Sequence, residues 1–356
     1  MAVDLDDAGA LKALDPLDMM GLTLGFPEQC ATGLRLAREA DLKPLSSPPS
    51  NVVVTGLGGS AIGGDMLRAV IEAQGRVPCG VNRDYHLPAY VGPDTLVITA
   101  SYSGNTEETL SAYAQAHEAG AQILAVTSGG TLAERARSDG HRVILVPGGQ
   151  PPRSATGYLF FPMLVALERL GLLPDQGAAI DETIARLRAQ RDALGPGVPA
   201  ARNPAKQLAS ALHGKVPVVH GTTGYLAVVA FRWKCQFNEN AKTMGLTNAY
   251  PELDHNEIIG WVEAPTQAAN WALVTLRDPD LSPKMQKRVD VTTRLIGERA
   301  AQHVVTAEGD SLLARMLGTN YLGDFVSVYL AYAYGVDPTV IENIDTLKVE
   351  LAGVAA

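Results

Sequence analysis

Residues 95–109 read TLVITASYSGNTEET. The run TLVITA is apolar or β-branched throughout, the composition of a strand covered on both faces. From Thr106 the spacing of TEETLSAYAQAHEAG is helical. A buried strand handed to a helix by a short loop is half of a parallel βαβ unit. The loop itself, SYSGNT, places Ser101, Ser103 and Thr106 with a glycine and an asparagine at the mouth of that strand.

The alternation continues outward on both sides. NVVVTGL (51–57) precedes AIGGDMLRAVIEA, AQILAVTS (121–128) precedes TLAERARSDG, and HRVILVP (141–147) closes the series. Residues 1–45 carry helical spacing, as in Leu34, Ala37, Ala40 and Leu42, and predict a helical lead-in. YLFFPMLVALERLGLL and a stretch at 178–194 predict further helices, and the Gly- and Pro-rich GPGVPAARNP (195–204) predicts a linker. Beyond it the pattern repeats. VPVVHGTTG answers VVVTGLGGS, ALVTLRDPDLS answers LVITASYSGNT, and AQHVVTAEGDSLLARML answers AQILAVTSGGTLAERAR. The expectation is an α/β protein of two related lobes, residues 1–195 and 196–356, each a parallel sheet flanked by helices. Residues 178–194 suit either side of the boundary.

The balance of 46% hydrophobic and 19% charged residues is that of a globular protein, and a net charge of −9 argues against nucleic acid as the main partner. Three cysteines without CxxC spacing signal neither a disulfide framework nor a thiolate metal site, which fits a reducing cytoplasm. The acidic N-terminus lacks a signal-peptide pattern, and no apolar run is long enough to span a membrane.

Ligands of open α/β sheets bind beyond the carboxyl ends of the strands, at helix N-termini. Three such loops in the first lobe are rich in glycine and hydroxyls: GLGGSAIGG (56–64), SYSGNT (101–106) and TSGGT (127–131). Together they describe a phosphate cradle. A dinucleotide reading of GLGGSA requires an acidic residue closing the next strand, where Asp84 stands late and beside Arg83. A capping reading pairs Asn105 with Glu108 but leaves Ser101, Ser103 and Thr106 unexplained together. The second lobe's matching loop, RDPDLSP, carries Asp278 and Asp280, which would repel a phosphate.

GLGGSAIGGD, SYSGNTEET, PPRSATGY (151–158), NENAK (238–242) and ELDHNEI (252–258) resemble the loops of the sugar isomerase (SIS) domain family. Over the whole chain the similarity is to its double-lobed members, the bifunctional phosphoglucose/phosphomannose isomerases. The resemblance implies a flavodoxin-like three-layer sandwich in each lobe. It also implies interconversion of glucose 6-phosphate or mannose 6-phosphate with fructose 6-phosphate, without metal or other cofactor. The phosphate loop then maps onto Gly59, Ser60, Ser101, Ser103 and Thr106, the base onto Glu239, the ring-opening groups onto His255 and Lys348, and Arg153 onto the arginine near the reacting carbons. A homodimer whose histidine comes from the partner chain is implied as well.

The residue types suit that chemistry. Aldose–ketose isomerisation through an enediolate needs a carboxylate base and a fixed cation, with a near-neutral proton carrier for ring opening. Each residue also has a plainer reading. Glu239 suits a helix end, His255 a surface loop or a cap of the next segment, Arg153 a loop pinned to a carboxylate, and Lys348 a solvated helix face. His220, at the end of an apparent strand, reads as a hydrogen-bonded core or loop residue, and the aromatics of FVSVYLAYAYG (325–335) as core or interface packing. The 7 histidines show no HxxxH or HxH pairing, and no GxSxG elbow is present.

Overall fold

The computed structural model describes residues 3–222, 224–351 and 353–354. The lead-in forms α1 (Ala8–Leu14), α2 (Met19–Leu24) and α3 (Phe26–Glu39). Next come β1 (Asn51–Thr55), α4 (Gly58–Gln74), β2 (Cys79–Asn82), β3 (Thr95–Ala100), α5 (Glu107–Glu118), β4 (Gln122–Thr127), α6 (Gly130–Ser138) and β5 (Arg142–Leu145). Helices α7 (Thr156–Arg169) and α8 (Gly177–Leu194) lead to the second half. That half holds α9 (Pro204–Leu212), β6 (Val216–Thr222), α10 (Tyr225–Glu239), β7 (Leu246–Tyr250), α11 (Glu257–Glu263), α12 (Pro265–Ala268) and β8 (Trp271–Arg277). It closes with α13 (Pro283–Ile296), β9 (Ala301–Thr306), α14 (Leu312–Tyr334) and α15 (Glu342–Leu351).

Two parallel sheets result, in the orders β2-β1-β3-β4-β5 and β7-β6-β8-β9. The second order is the first without its last strand, so β6, β8 and β9 occupy the places of β1, β3 and β4, as the sequence correspondence predicts. Every residue of β3 and β4 is buried, which explains why these strands are mostly apolar or β-branched on both faces. Strands β2 and β7 were not among the expected strands. Both lie at a sheet edge and are half-covered, so CGVN and LTNAY lack an apolar signal. Helix α3 ends at Glu39, earlier than the spacing through Leu42 predicts, because Ala40 turns to an extended conformation.

One apolar core joins the two sheets, running from Val52 and Ile98 to Val219 and Val274. Its axis is α14, predominantly apolar and buried on nearly all sides, the mark of a helix enclosed by protein. The aromatics of 325–335 pack there, and their hydroxyls find partners: Tyr329 donates to the Leu194 carbonyl at 2.6 Å and Tyr332 to Asp15 at 2.7 Å. Helix α8 packs along α14 as well as α3, and so touches both halves. No described helix is long and apolar enough to cross a membrane.

Candidate active site

The first-lobe loops meet at the carboxyl ends of β1 and β3. Ser101 is buried, its Oγ lies 2.9 Å from Thr106 Oγ1, and it accepts from Gly104 N at 3.1 Å. Ser60, also buried, accepts from Tyr102 N at 3.3 Å, which ties the first loop to the second. Gly104, at φ +73°, lies so close to the third loop that a Cβ would stand 1.9 Å from the Gly129 carbonyl oxygen. Ser103 sits exposed at the rim and accepts from Asn105 N.

The Asn105–Glu108 cap does not form. Asn105 Oδ1 instead accepts from Thr131 N at 3.0 Å, bridging the loops, and Thr106 is the N-cap without a side-chain capping bond. Helix α4, entered through Leu57, also lacks one. In the second lobe the counterpart of α5, α13, is capped by Ser282 and the counterpart of α6, α14, by Ser311, whereas α10, the counterpart of α4, has no side-chain cap. Arg315 engages Asp278 and Asp280 there, at 3.5 and 2.7 Å. Side chains therefore leave the first-turn N–H groups of α4 and α5 open to an anion, while at α13, the counterpart of α5, Ser282 takes one of them.

Arg153 enters next to this cradle. A Cβ on Gly59 would meet the Pro152 carbonyl oxygen at 2.5 Å, so only glycine lets the two segments approach so closely. The Arg153 guanidinium is buried. Its Nε donates to Asn240 Oδ1 at 2.7 Å, and its Nη2 to the carbonyls of Pro338 and Thr339 at 2.8 and 2.7 Å. Nη1 faces Glu239 Oε2 at 3.8 Å, beyond hydrogen-bonding reach. Burial pulls the Arg153 pKa down and Glu239 opposes that shift.

The clamp has its own supports. Asn240 Nδ2 donates to Ser327 Oγ at 2.9 Å, and Arg232 spans the Arg153 carbonyl at 2.6 Å and Asp324 at 3.2 Å. Burial raises the Asp324 pKa, against Arg232 and a 2.7 Å bond from Gln236. Sequence reasoning missed Arg232, Asn240 and Asp324, whose roles arise only when α10 and α14 pack together. It also passed over Lys242 inside NENAK. Its Nζ donates to the Glu239 carbonyl at 2.5 Å, and burial, then Arg153, draw it down to about 8.

Within the chain His255 is not brought to Glu239, and Lys348 makes no hydrogen bond or ion pair with it among the described residues. Glu239 ends α10, at the edge where β7 begins, whereas His255 lies past the end of β7, exposed in the 3-10 turn Glu252–His255. Five residues of strand place these edges on the order of 16 Å apart. The turn is rigidly anchored by Glu257, which accepts from Asn248 at 2.6 Å and Trp261 at 2.8 Å and lies 2.6 Å from His220 Nε2. Burial pushes its carboxyl up, but these bonds outweigh that and hold it at about 2. His220 is thus a buried, hydrogen-bonded residue of β6. Lys348 is solvent-exposed on α15 and pairs with Asp345 at 3.3 Å.

Comparison with known proteins agrees with this architecture. Residues 45–151 match the model of the SIS domain, and residues 201–351 that of the bacterial phospho-glucose isomerase C-terminal SIS domain. A bifunctional phosphoglucose/phosphomannose isomerase of Caldicellulosiruptor bescii is 44% identical over 92% of this chain and 97% of its own length. One from Aquifex aeolicus is 34% identical over 87% and 93%. Among solved structures, a glucose-6-phosphate isomerase like protein from Thermus thermophilus superposes with a TM-score of 0.63 at 20% identity, covering 95% of this chain and 98% of that one.

Proposed function

The chain belongs to the bifunctional phosphoglucose/phosphomannose isomerase family, and from that we propose that it interconverts glucose 6-phosphate and mannose 6-phosphate with fructose 6-phosphate. The 6-phosphate is gripped by Gly59, Ser60, Ser101, Ser103 and Thr106 with the open N-termini of α4 and α5. That grip belongs to residues 1–195, and the base and ring-opening groups to residues 196–356.

After ring opening, Glu239 removes the C2 proton of the aldose. The electron pair moves into a C1–C2 double bond, and the negative charge on the C1 oxygen meets Arg153 Nη1. Transfer of the C2 hydroxyl proton to the C1 oxygen, with return of the carbon proton from Glu239 to C1, leaves a carbonyl at C2 and gives the ketose. Carboxylate and guanidinium together supply the base and the charge stabilisation, so the proposed route calls on no metal or redox cofactor. Both epimers pass through the same enediolate and differ in the face of C2 that receives the proton.

The observation that carries this reading is the 3.8 Å gap between Arg153 and Glu239. Every other guanidinium nitrogen of Arg153 is engaged, and among the described residues Nη1 makes no hydrogen bond, so it is poised for a substrate oxygen beside the base. His255 completes the site from a second copy of the chain, because its own chain holds it at the far edge of the sheet. A phosphorus NMR time course from fructose 6-phosphate tests the proposal. Both aldose 6-phosphates are expected to appear, and no turnover would indicate a sugar-phosphate sensor instead.

A further inference from the structure

Far from the phosphate loops, α5 and α6 end side by side at the N-terminal edge of the first sheet. His117, Asp139 and His141 meet there with their ligand atoms within 4.8 Å of one another, and His117 Nδ1 is 2.9 Å from His141 Nε2. The histidines are 24 residues apart in sequence, which is why spacing motifs do not find them.

The backbone that presents them is well defined. Each helix ends in the same two-bond glycine cap, with Gly120 at φ +69° and Gly140 at φ +74°. Gly120 N donates to the His117 carbonyl and Ala121 N to that of Ala116, both at 3.0 Å. In α6, Gly140 N donates to Arg137 at 3.1 Å and His141 N to Ala136 at 2.8 Å. His117 is thereby fixed in the last turn of α5, and Asp139 and His141 stand on either side of the α6 glycine. Buried Tyr113, one turn before His117, donates to Asp139 Oδ2 at 2.5 Å and packs edge-on against the His141 ring.

We infer that His117, Asp139 and His141 form a binding site for a divalent transition-metal ion of the zinc class, with water as the fourth ligand. Two imidazoles and a carboxylate are a donor set that zinc takes. Tetrahedral coordination at about 2.05 Å separates ligand nitrogens by about 3.3 Å, so the imidazoles need part by only about 0.4 Å. The negative ends of two helix dipoles converge on the position. Tyr113 supplies the outer hydrogen bond that orients a ligating carboxylate and leaves its other oxygen free. The nearby cations are turned to carbonyls: Lys43 donates to Gly140 at 3.2 Å, and Arg142 to Lys43 and Pro44. The ion would clip α5 to the α6–β5 turn, so its readout is binding and stability, whatever reaction the chain catalyses.

The test uses tag-free full-length protein, stripped with chelator and titrated with zinc alone against a chromophoric indicator. One ion per chain and a zinc-dependent rise in Tm are expected. His117→Ala and His141→Ala are each expected to weaken binding by about tenfold or more and to abolish the rise, while keeping the parent's circular dichroism. Tyr113→Phe, which retains all three ligands, is expected to weaken it less. Absence of zinc binding by the parent, or binding of equal strength by the double histidine variant, overturns the inference.

Discussion

Arg153 Nη1 faces Glu239 Oε2 across 3.8 Å, while Asn240 and two backbone carbonyls hold the remaining guanidinium nitrogens. The cation is fixed by the protein, and the base beside it is left free to take a proton. Glu239→Gln keeps the shape and removes the proton acceptor. A fall in kcat of about 10²–10⁴-fold is expected, with hexose 6-phosphate binding retained in calorimetry. Unchanged turnover would remove Glu239 as the base.

The phosphate cradle makes a different demand. Replacing Ser101 and Thr106 together by Ala deletes two hydroxyls 2.9 Å apart. Hydrogen bonds to a charged group are worth about 1.5–3 kcal/mol each, so loss of both is expected to lower affinity for 6-phosphates by roughly a hundredfold or more. Stability is expected to change less than affinity. Equal affinity for inorganic phosphate and substrate in parent and variant would count against the site.

Asn240 links Arg153 to Ser327. Asn240→Ala leaves the buried Arg153 Nε without its acceptor, at a cost of about 1–3 kcal/mol in stability. A loosened guanidinium is expected to lower kcat more than it raises KM, because the phosphate grip is untouched. Denaturant titration and steady-state kinetics on the same preparation separate the two effects.

His255 on the far edge of the second sheet makes a complementation test possible. Glu239→Gln and His255→Ala chains are each expected to be nearly inactive alone. Mixed and allowed to exchange, they are expected to recover about a quarter of the parent's sites, since half of a random population is hybrid and each hybrid dimer has one intact site. No recovery would place His255 with the Glu239 of its own chain or outside the reaction.

Glu257 gives a stability test with a definite sign. Its folded pKa of about 2 lies below the ordinary 4.5, so its contribution is present above the unfolded value and is lost as pH falls from about 4.5 towards 2. The expected loss is on the order of 2 kcal/mol. Glu257→Gln is expected to be less stable at neutral pH and to flatten this part of the urea-midpoint profile. A parallel slope in parent and variant would assign the acid sensitivity elsewhere.

The fully buried strands β3 and β4 were legible because both faces must be apolar, and the hydroxyl-rich loops because few folds need so many small polar groups at strand ends. Edge strands β2 and β7 gave no such signal. Within the site, NENAK and DHNE drew attention to Glu239 and His255, but not to Lys242 or Glu257 beside them. Their perturbed acidity comes from packing by other elements: burial and then Arg153 lower Lys242, and for Glu257 the bond with His220 leads those that outweigh burial. Helix capping could be weighed from sequence but not decided, since Asn105 turned out to serve a different loop.

The separation of Glu239 and His255 along β7 has a consequence for how activity emerges. If the partner supplies the histidine, a folded single chain carries two half-sites and no whole one. Turnover then begins with assembly, specific activity per chain falls on dilution below the subunit dissociation constant, and an inactive copy in excess poisons its active neighbours.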